Sequence, residues 1–385
     1  MKILYLISGT NMGGATLSFL SLLDSVIKEG ITPYVVIPDD NKDFVALLEE
    51  RKVKYFVVRL PFFCYPSVKK WNVPLFLAKM LGRLYLEWKA EKRVDKIVKE
   101  IKPDIIHTNV GPISVGHFVA KKNSLPHVWH IREYGDLDFN MYAFPSKKFF
   151  HKCLREDAVI AVSKGLLQYN EIENREWSFV VPNGVCSKNN LPAKIHKENF
   201  FLCASRISPE KGFAEVIKVF SQFYKDNPDS KLLIAGEGDA EYVASLKKMC
   251  ARLDCDKAVA FLGFKKNICD YMNKAQALIV ASNAEGFGRM TAEAGFAGCL
   301  VIGKNCGGTK EIMEEMGGCP YVSEQDLLNC MQAVSAMPMD EYVKKVKACQ
   351  ERAVQLYSIE AYAENVISVY KRVACDNGLA GNKSV

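Results

Sequence analysis

Two doubly wound α/β domains, each built on a parallel sheet, are what this chain predicts, and three observations predict them. Short apolar, β-branched runs recur along the chain, separated by polar or amphipathic stretches of helical length. Each half opens on such a run, then a glycine-containing turn, then an amphipathic stretch: residues 2–7 before Gly13-Gly14-Ala15, and residues 200–204 before Ser205 to Gly212. A length of 385 residues suits two such domains, each large enough for its own core.

In the N-terminal half, residues 2–7 read as a first buried strand, Gly13-Gly14-Ala15 as its exit loop, and residues 16–27 as the helix behind it. This loop is not the dinucleotide fingerprint. It lacks the G-x-G-x-x-G spacing, and the second run, 33–37, enters a turn of Pro38, Asp39 and Asp40 where a ribose-binding acid would end a strand. Further runs at 55–58, 105–107, 127–130, 158–161 and 179–181 complete the sheet. His107 and His130 each close one of these strands, at the edge where open α/β sheets place their ligands. A satisfied histidine at the core edge explains His107 equally well.

The C-terminal half carries the stronger signals. After the run 200–204 comes Ser205-Arg206-Ile207-Ser208-Pro209-Glu210-Lys211-Gly212, where Arg206 and Lys211 are cations able to neutralise a diphosphate at a sheet mouth, or plain surface charge. Residues 231–235 form the next strand and end in the turn Gly236-Glu237-Gly238. The run 277–281 then leads into Glu285-Gly286-Phe287-Gly288-Arg289-Met290-Thr291-Ala292-Glu293. Its glycines break the chain before a helix starting near Arg289, so backbone amides of Gly288, Arg289, Met290 and Thr291 come free for an anion. Glu293, a turn further in, is placed to accept from a vicinal diol, and Glu285 to reach the group beyond the phosphates. The plainer alternative is a loop acid and a solvated helix acid.

Together, Ala204-Ser205-Arg206 with Glu210-Lys211-Gly212, Phe261-Leu262-Gly263-Phe264, the Glu285 to Glu293 segment with Ala294 and Gly298, Val301-Ile302, and Gly307-Gly308-Thr309 with Glu311 resemble the retaining glycosyltransferases of family 4. The resemblance covers most of the chain and implies the GT-B fold, two Rossmann-like domains facing a cleft. It implies that Arg206 and Lys211 grip the donor diphosphate, Glu293 binds the ribose, Glu285 contacts the transferred sugar, and the backbone near Phe264 and Lys265 meets the nucleobase. The loop at Gly14 would approach the donor phosphates and the acceptor, and His130 would reach the donor sugar. The family commonly has His-Asp where this chain has His130-Ile131, leaving Glu133 or Asp136 to stand in for the acid. Val180-Val181-Pro182-Asn183-Gly184-Val185 resembles the exit from the first domain. The expected layout is an acceptor-side domain at 1–185, a linker at 186–198, a donor-nucleotide domain at 199–356, a helix at 357–374 returning to the first domain, and a flexible tail at 375–385.

The implied activity is transfer of a sugar, with retention, from a nucleoside diphosphate sugar, UDP favoured by its frequency in the family. The acceptor is a saccharide, lipid-linked in one version, in surface or extracellular polysaccharide assembly. No cofactor or metal is expected beyond the nucleotide-sugar co-substrate, since Asp136-Leu137-Asp138 and Asp254-Cys255-Asp256 spell D-x-D without sitting cleanly at a strand end. Two alternatives stay open: a nucleotide-sugar epimerase or hydrolase, and a non-catalytic partner subunit on the same scaffold. Thirteen cysteines without regular spacing point to free thiols and a cytoplasmic setting, and the opening residues 1–8 carry no convincing cleavage site.

The net charge of +7 is concentrated. Between Lys69 and Lys99, nine basic residues face three acids, with Phe62, Phe63, Tyr65, Trp71, Phe76, Tyr85 and Trp88 interleaved or just upstream. Residues 62–99 thus read either as a peripheral contact with an anionic membrane on its inner face or as a solvated helix whose Leu75, Leu77, Met80, Leu81 and Leu84 cover the sheet. No nucleic-acid-binding module accompanies the charge.

Overall fold

The computed structural model describes residues 1–66, 73–192 and 194–376. They divide into two compact units, Met1–Gly184 with the segment from Ile359, and Val185–Ser358. In the first, β1 (Lys2–Leu6), α1 (Gly14–Lys28), β2 (Thr32–Ile37), α2 (Lys42–Glu50), β3 (Lys54–Val57), α3 (Val73–Ile101), β4 (Ile105–Thr108) and α4 (Val115–Lys122) follow in order. Then come β5 (His127–Ile131), α5 (Asp136–Phe139), α6 (Lys147–Glu156), β6 (Ala158–Ala161), α7 (Lys164–Tyr169) and β7 (Ser178–Val180). The second unit begins with β8 (Phe200–Ala204), a 3₁₀ turn (Pro209–Lys211), α8 (Phe213–Asp226), β9 (Lys231–Ala235), α9 (Ala240–Arg252), β10 (Val259–Gly263) and α10 (Ile268–Lys274). It continues with β11 (Ala277–Val280), α11 (Arg289–Ala297), β12 (Leu300–Lys304), α12 (Gly307–Met316), β13 (Cys319–Tyr321), α13 (Glu324–Ser335) and α14 (Met339–Tyr357). The closing helix α15 (Ile359–Asp376) belongs to the first unit.

Each unit holds one parallel sheet, as the alternating runs predict. The orders are β3-β2-β1-β4-β5-β6-β7 and β10-β9-β8-β11-β12-β13. Both reverse direction of growth beside their first strand, between β1 and β4 and between β8 and β11. Such reversals open a crevice at the carboxyl ends of the strands, which is where ligands bind in sheets of this kind.

The two faces of the first sheet explain why its strands read as unbroken apolar runs. On β1, Ile3 and Tyr5 pack into a cluster that also takes Leu22, Val26, Tyr362, Val366 and Tyr370 from α1 and α15. Leu4 and Leu6 point into the opposite cluster, with Val94, Val98 and Ile101 of α3 and Val119 of α4. A strand covered on both sides has no polar face to show.

Several boundaries differ from the sequence expectation, for local reasons. Residues 186–198, expected as a linker, are held to the second unit: the Val185 amide donates to the Tyr357 carbonyl at 3.0 Å, and Glu198 N to Lys274 O at 2.7 Å. The Asn273 amide also donates to Lys194 O, at 3.1 Å. The helix expected to begin at residue 357 begins after it, because Ser358 is extended (ψ 153°) and separates α14 from α15. The expected tail, beyond Asp376, lies outside the described residues, as do Lys69, Lys70 and Trp71 of the basic aromatic segment.

Candidate active site

The second unit gathers most of the expected site residues around its strand-order reversal. The chain leaves β8, makes the 3₁₀ turn at Pro209–Lys211 and enters α8 through Gly212, whose φ is +72°. A side chain at Gly212 would run into the Ala281 carbonyl, so glycine lets this turn lie directly against the exit of β11. The Asn283 amide, on that exit, donates to Glu210 O at 3.1 Å. Lys211 and Glu285, 74 positions apart in sequence, meet as an ion pair, Nζ to Oε1 at 2.5 Å. Both are mostly buried, and the backbone of Glu285 is fixed in turn by the Gly308 amide, which donates to its carbonyl at 2.8 Å.

At the start of α11, Gly288 takes the left-handed conformation (φ +88°, ψ 51°) with Thr309 N only 3.1 Å from where a Cβ would stand. The Thr291 amide donates to the Gly288 carbonyl at 3.0 Å, and its side chain is fully buried with no hydrogen-bond partner for Oγ1 among the described residues. Thr291 was expected to offer its amide to the anion; the first turn of the helix uses that amide itself. Arg289 and Met290, the two helical residues before it, are both partly exposed.

Arg289, one turn before Glu293, pairs with it at 2.7 Å, and its Nη2 donates to Val185 O at 3.3 Å. Burial pushes the Glu293 carboxyl up from its ordinary range, and the Arg289 guanidinium opposes that push. Glu293 lines a cavity of about 470 Å³ with Cys186, Leu191, Lys266, Ile268 and Cys269. The neighbouring Phe264, expected at the nucleobase, is 71% exposed just beyond β10. Lys266 and Ile268, rather than Phe264 and Lys265, line the cavity, and only the fold could single them out. Arg206 stays exposed on the β8 exit, paired with the equally exposed Glu210 at 3.0 Å.

The first unit holds the remaining two residues. Gly14 is the first residue of α1, on the loop leaving β1 beside the reversal of the first sheet. His130 lies one residue inside the strand end expected at it. Strand β5 runs on to Ile131, so His130 sits inside the sheet with no exposed surface, its Nδ1 3.4 Å from Arg132 Nη2 and its Nε2 without a partner among the described residues. Burial, then the charges of Arg132 and His107, hold its imidazole well below the ordinary histidine range, so it is neutral. His107 is likewise buried, with Nδ1 2.6 Å from the Tyr370 hydroxyl.

Sequence reasoning missed the hub above His130. The buried Arg132 guanidinium donates to Asn183 Oδ1, to Asn109 Oδ1 at 2.9 Å and to the Tyr362 hydroxyl at 2.9 Å. Next to it, Glu133 lines a cavity of about 340 Å³ with Tyr65, Tyr134, Tyr142, Lys147 and Tyr169. Burial and the nearby Asp138 push the Glu133 carboxyl up to about 7, against Arg132. Of the D-x-D acids, Asp138 is spent on the amides of Tyr134 (2.9 Å) and Gly135 (2.7 Å), and Asp136 accepts from the Tyr169 hydroxyl at 2.5 Å.

One group among the described residues has metal-ligand spacing, His117, His127 and Asp157. Its atoms are at hydrogen-bonding rather than coordinating separation: Asp157 Oδ2 lies 2.7 Å from His117 Nδ1, 2.6 Å from His127 Nδ1 and 2.7 Å from Trp129 Nε1. The other nitrogen of His127 is 2.8 Å from Thr108 Oγ1. The set is a closed polar knot tying α4 and β5 to the residue after α6.

Residues 188–326 match the family described as Glycosyl transferases group 1. An "Uncharacterized 42.6 kDa protein in cps region" of Klebsiella pneumoniae is 23% identical, over 94% of this chain and 96% of its own. The alpha-monoglucosyldiacylglycerol synthase of Acholeplasma laidlawii is 22% identical, over 97% of this chain and 96% of the synthase. Among solved structures, Anabaena Alr3699/HepE in complex with UDP matches with a TM-score of 0.75 and 20% identity, over 97% of this chain and 100% of HepE. Its UDP-glucose complex matches with a TM-score of 0.73 and 21% identity, over the same shares. The two parallel sheets are those of the GT-B fold.

Proposed function

From the match of residues 188–326 to the family described as Glycosyl transferases group 1, we propose a retaining glycosyltransferase that moves a sugar from a UDP-sugar to a lipid-linked saccharide acceptor. Surface or extracellular polysaccharide assembly is the setting the family resemblance implies. The observation that carries the donor half is the Lys211–Glu285 pair, 2.5 Å apart beside the reversal of the second sheet. A bound diphosphate draws the ammonium to itself and leaves Glu285 to accept from hydroxyls of the sugar. Arg206 and the amides of Gly288, Arg289 and Met290 meet the remaining phosphate oxygens. Glu293 accepts from the ribose diol, and the base lies toward Lys266 and Ile268, with Phe264 and Lys265 at its rim. UDP is supported by HepE, a protein of the same fold solved with UDP and with UDP-glucose. A lipid-borne acceptor is supported by the name of the Acholeplasma relative, an alpha-monoglucosyldiacylglycerol synthase, and retention is what the family resemblance implies.

In the step itself, the bond from the anomeric carbon to the diphosphate oxygen breaks as the acceptor oxygen attacks the same face, and the leaving oxygen takes the acceptor's proton. Lys211 and Arg206 meet the charge that develops on the diphosphate, so no resident metal is invoked. His130, buried and neutral, acts as a positioning residue for Arg132. The aromatic cavity beside Glu133 is the proposed seat of the acceptor saccharide, and residues 62–99 the contact with the membrane that carries it.

Incubation with UDP-sugars, with and without a lipid-linked saccharide, tests this. Product is expected only with the acceptor, in the donor's anomeric configuration by proton NMR, and unchanged by EDTA. Donor consumption without acceptor would assign a hydrolase or epimerase instead. Inverted product, or loss with EDTA, would overturn the retaining or metal-free part.

A further inference from the structure

Helix α3 carries an apolar face that the first unit's core does not use. Its sheet-facing side is Met80, Ala90, Val94, Ile97, Val98 and Ile101, all buried. Of the residues that a solvated helix would turn to the sheet, Met80 alone does so: Leu75, Leu77, Leu81 and Leu84 are exposed. Val73, Leu77, Leu81, Leu84, Tyr85 and Trp88 are each 46–68% exposed. At about 100° per residue these six fall within an arc of roughly 120° on one side of the helix. A contiguous exposed apolar stripe of this length is rare on a soluble surface and marks a contact.

Beyond Trp88 the flank next to this stripe, centred about 90° further round the helix, is basic. Lys89, Lys92, Arg93 and Lys96 are exposed there, with the Lys92 ammonium 3.8 Å over the Trp88 ring. The acids of this stretch do not offset them outward. Glu87 is buried, Glu91 is half-buried, and Asp95 is turned to Asn123 at 2.8 Å, Lys99 at 2.9 Å and Lys122 at 3.0 Å. Tyr85 and Trp88 mark the border between the apolar and the basic halves, the level at which such rings sit in a bilayer interface. The centre of a protein–protein interface is depleted in lysine, whereas here exposed cations flank the stripe.

We propose that α3 is an interfacial helix that docks the protein on an anionic bilayer, its apolar half set at the boundary between headgroups and acyl chains and its basic half on the headgroups. The proposal gives the lipid-linked acceptor of the proposed function its place, and vesicle binding without any sugar donor tests it apart from transfer. Co-sedimentation is measured with vesicles of equal phosphatidylglycerol and phosphatidylcholine and with phosphatidylcholine alone. Binding is expected to the anionic vesicles and to weaken in high salt. The K89Q/K92Q/R93Q/K96Q variant should bind roughly 600-fold more weakly, since each of the four basic residues at such a surface is worth roughly 5-fold. The L77S/L81S/W88A variant should lose binding at low and high salt alike. All of these side chains are exposed, so circular dichroism melting should match the parent and separate docking from folding. Absence of binding to anionic vesicles, or binding unchanged in both variants, would overturn the proposal.

Discussion

Lys211 and Glu285 form the shortest ion pair among the described residues of the second unit, yet the ammonium and carboxylate each keep some solvent contact, at 18% and 23% exposure, so the pair contributes little to its stability. Lys211→Ala and Glu285→Ala should therefore each cut transfer by about 100-fold or more, while moving the melting midpoint by only a few degrees. If both variants transfer as the parent does, the site is elsewhere. Arg289 makes a finer test. It is the cation that opposes the upward push on Glu293, so Arg289→Met should raise that carboxyl further. The protonated acid is a poorer acceptor for a diol. The acid limb of the pH profile of kcat/KM for the donor should accordingly move to higher pH, with kcat at its plateau less affected. An unmoved limb would detach Glu293 from the ribose.

The knot on Asp157 joins α4, β5 and the residue after α6, and its effect on stability has a calculable pH window. Burial lowers the affinity of His117 for its proton, but the hydrogen bond to Asp157 and the neighbouring Cys153 prevail and bring it up to about 9, above its ordinary 6.5. The resulting stabilisation is full below about 6.5 and is lost as pH rises through about 9. Asp157 runs the other way. Burial raises it, while His127 and His117 pull it down to about 2 from 3.8, so its share is full above about 3.8 and is lost as pH falls toward 2. The first unit should melt at its highest temperature between about pH 4 and 6.5, with a decline on the alkaline side that His117→Gln removes. Asp157→Asn strips the charge on which His117, His127 and Trp129 converge, and should cost about 3–5 kcal/mol by denaturant titration.

The first unit is completed by the last helix in the chain. Tyr362, Val366 and Tyr370 of α15 are fully buried, each contributing about 1.5–3 kcal/mol, which together rivals the whole stability of a typical domain. A chain ending at Ser358 should thus lose the cooperative melting of its first unit. The donor has its own signature. UDP at about 100 times its dissociation constant should stabilise by about 2.7 kcal/mol, seen as a raised melting midpoint, and GDP and ADP compared in parallel identify the base. No shift with any of the three would count against a nucleotide donor.

Parallel strands buried on both faces must be apolar throughout, so β1, β8 and β11 announce themselves as runs; two doubly wound domains were legible from residue order, and the family resemblance implied GT-B. Glycines that a turn cannot do without, such as Gly212 and Gly288, were legible for the same reason: local backbone geometry leaves a local mark. Contacts between distant segments leave none. That Lys211 meets Glu285, that Arg289 serves Glu293, and that Lys266 and Ile268 rather than Phe264 line the cavity depend on which strands lie side by side. Orientation about a helix or strand axis is equally silent in a run of mixed residues. His130 closes an apolar run and faces inward, while Leu77 and Leu81 sit in an amphipathic stretch and face outward, because only packing against the rest of the unit decides which side is covered.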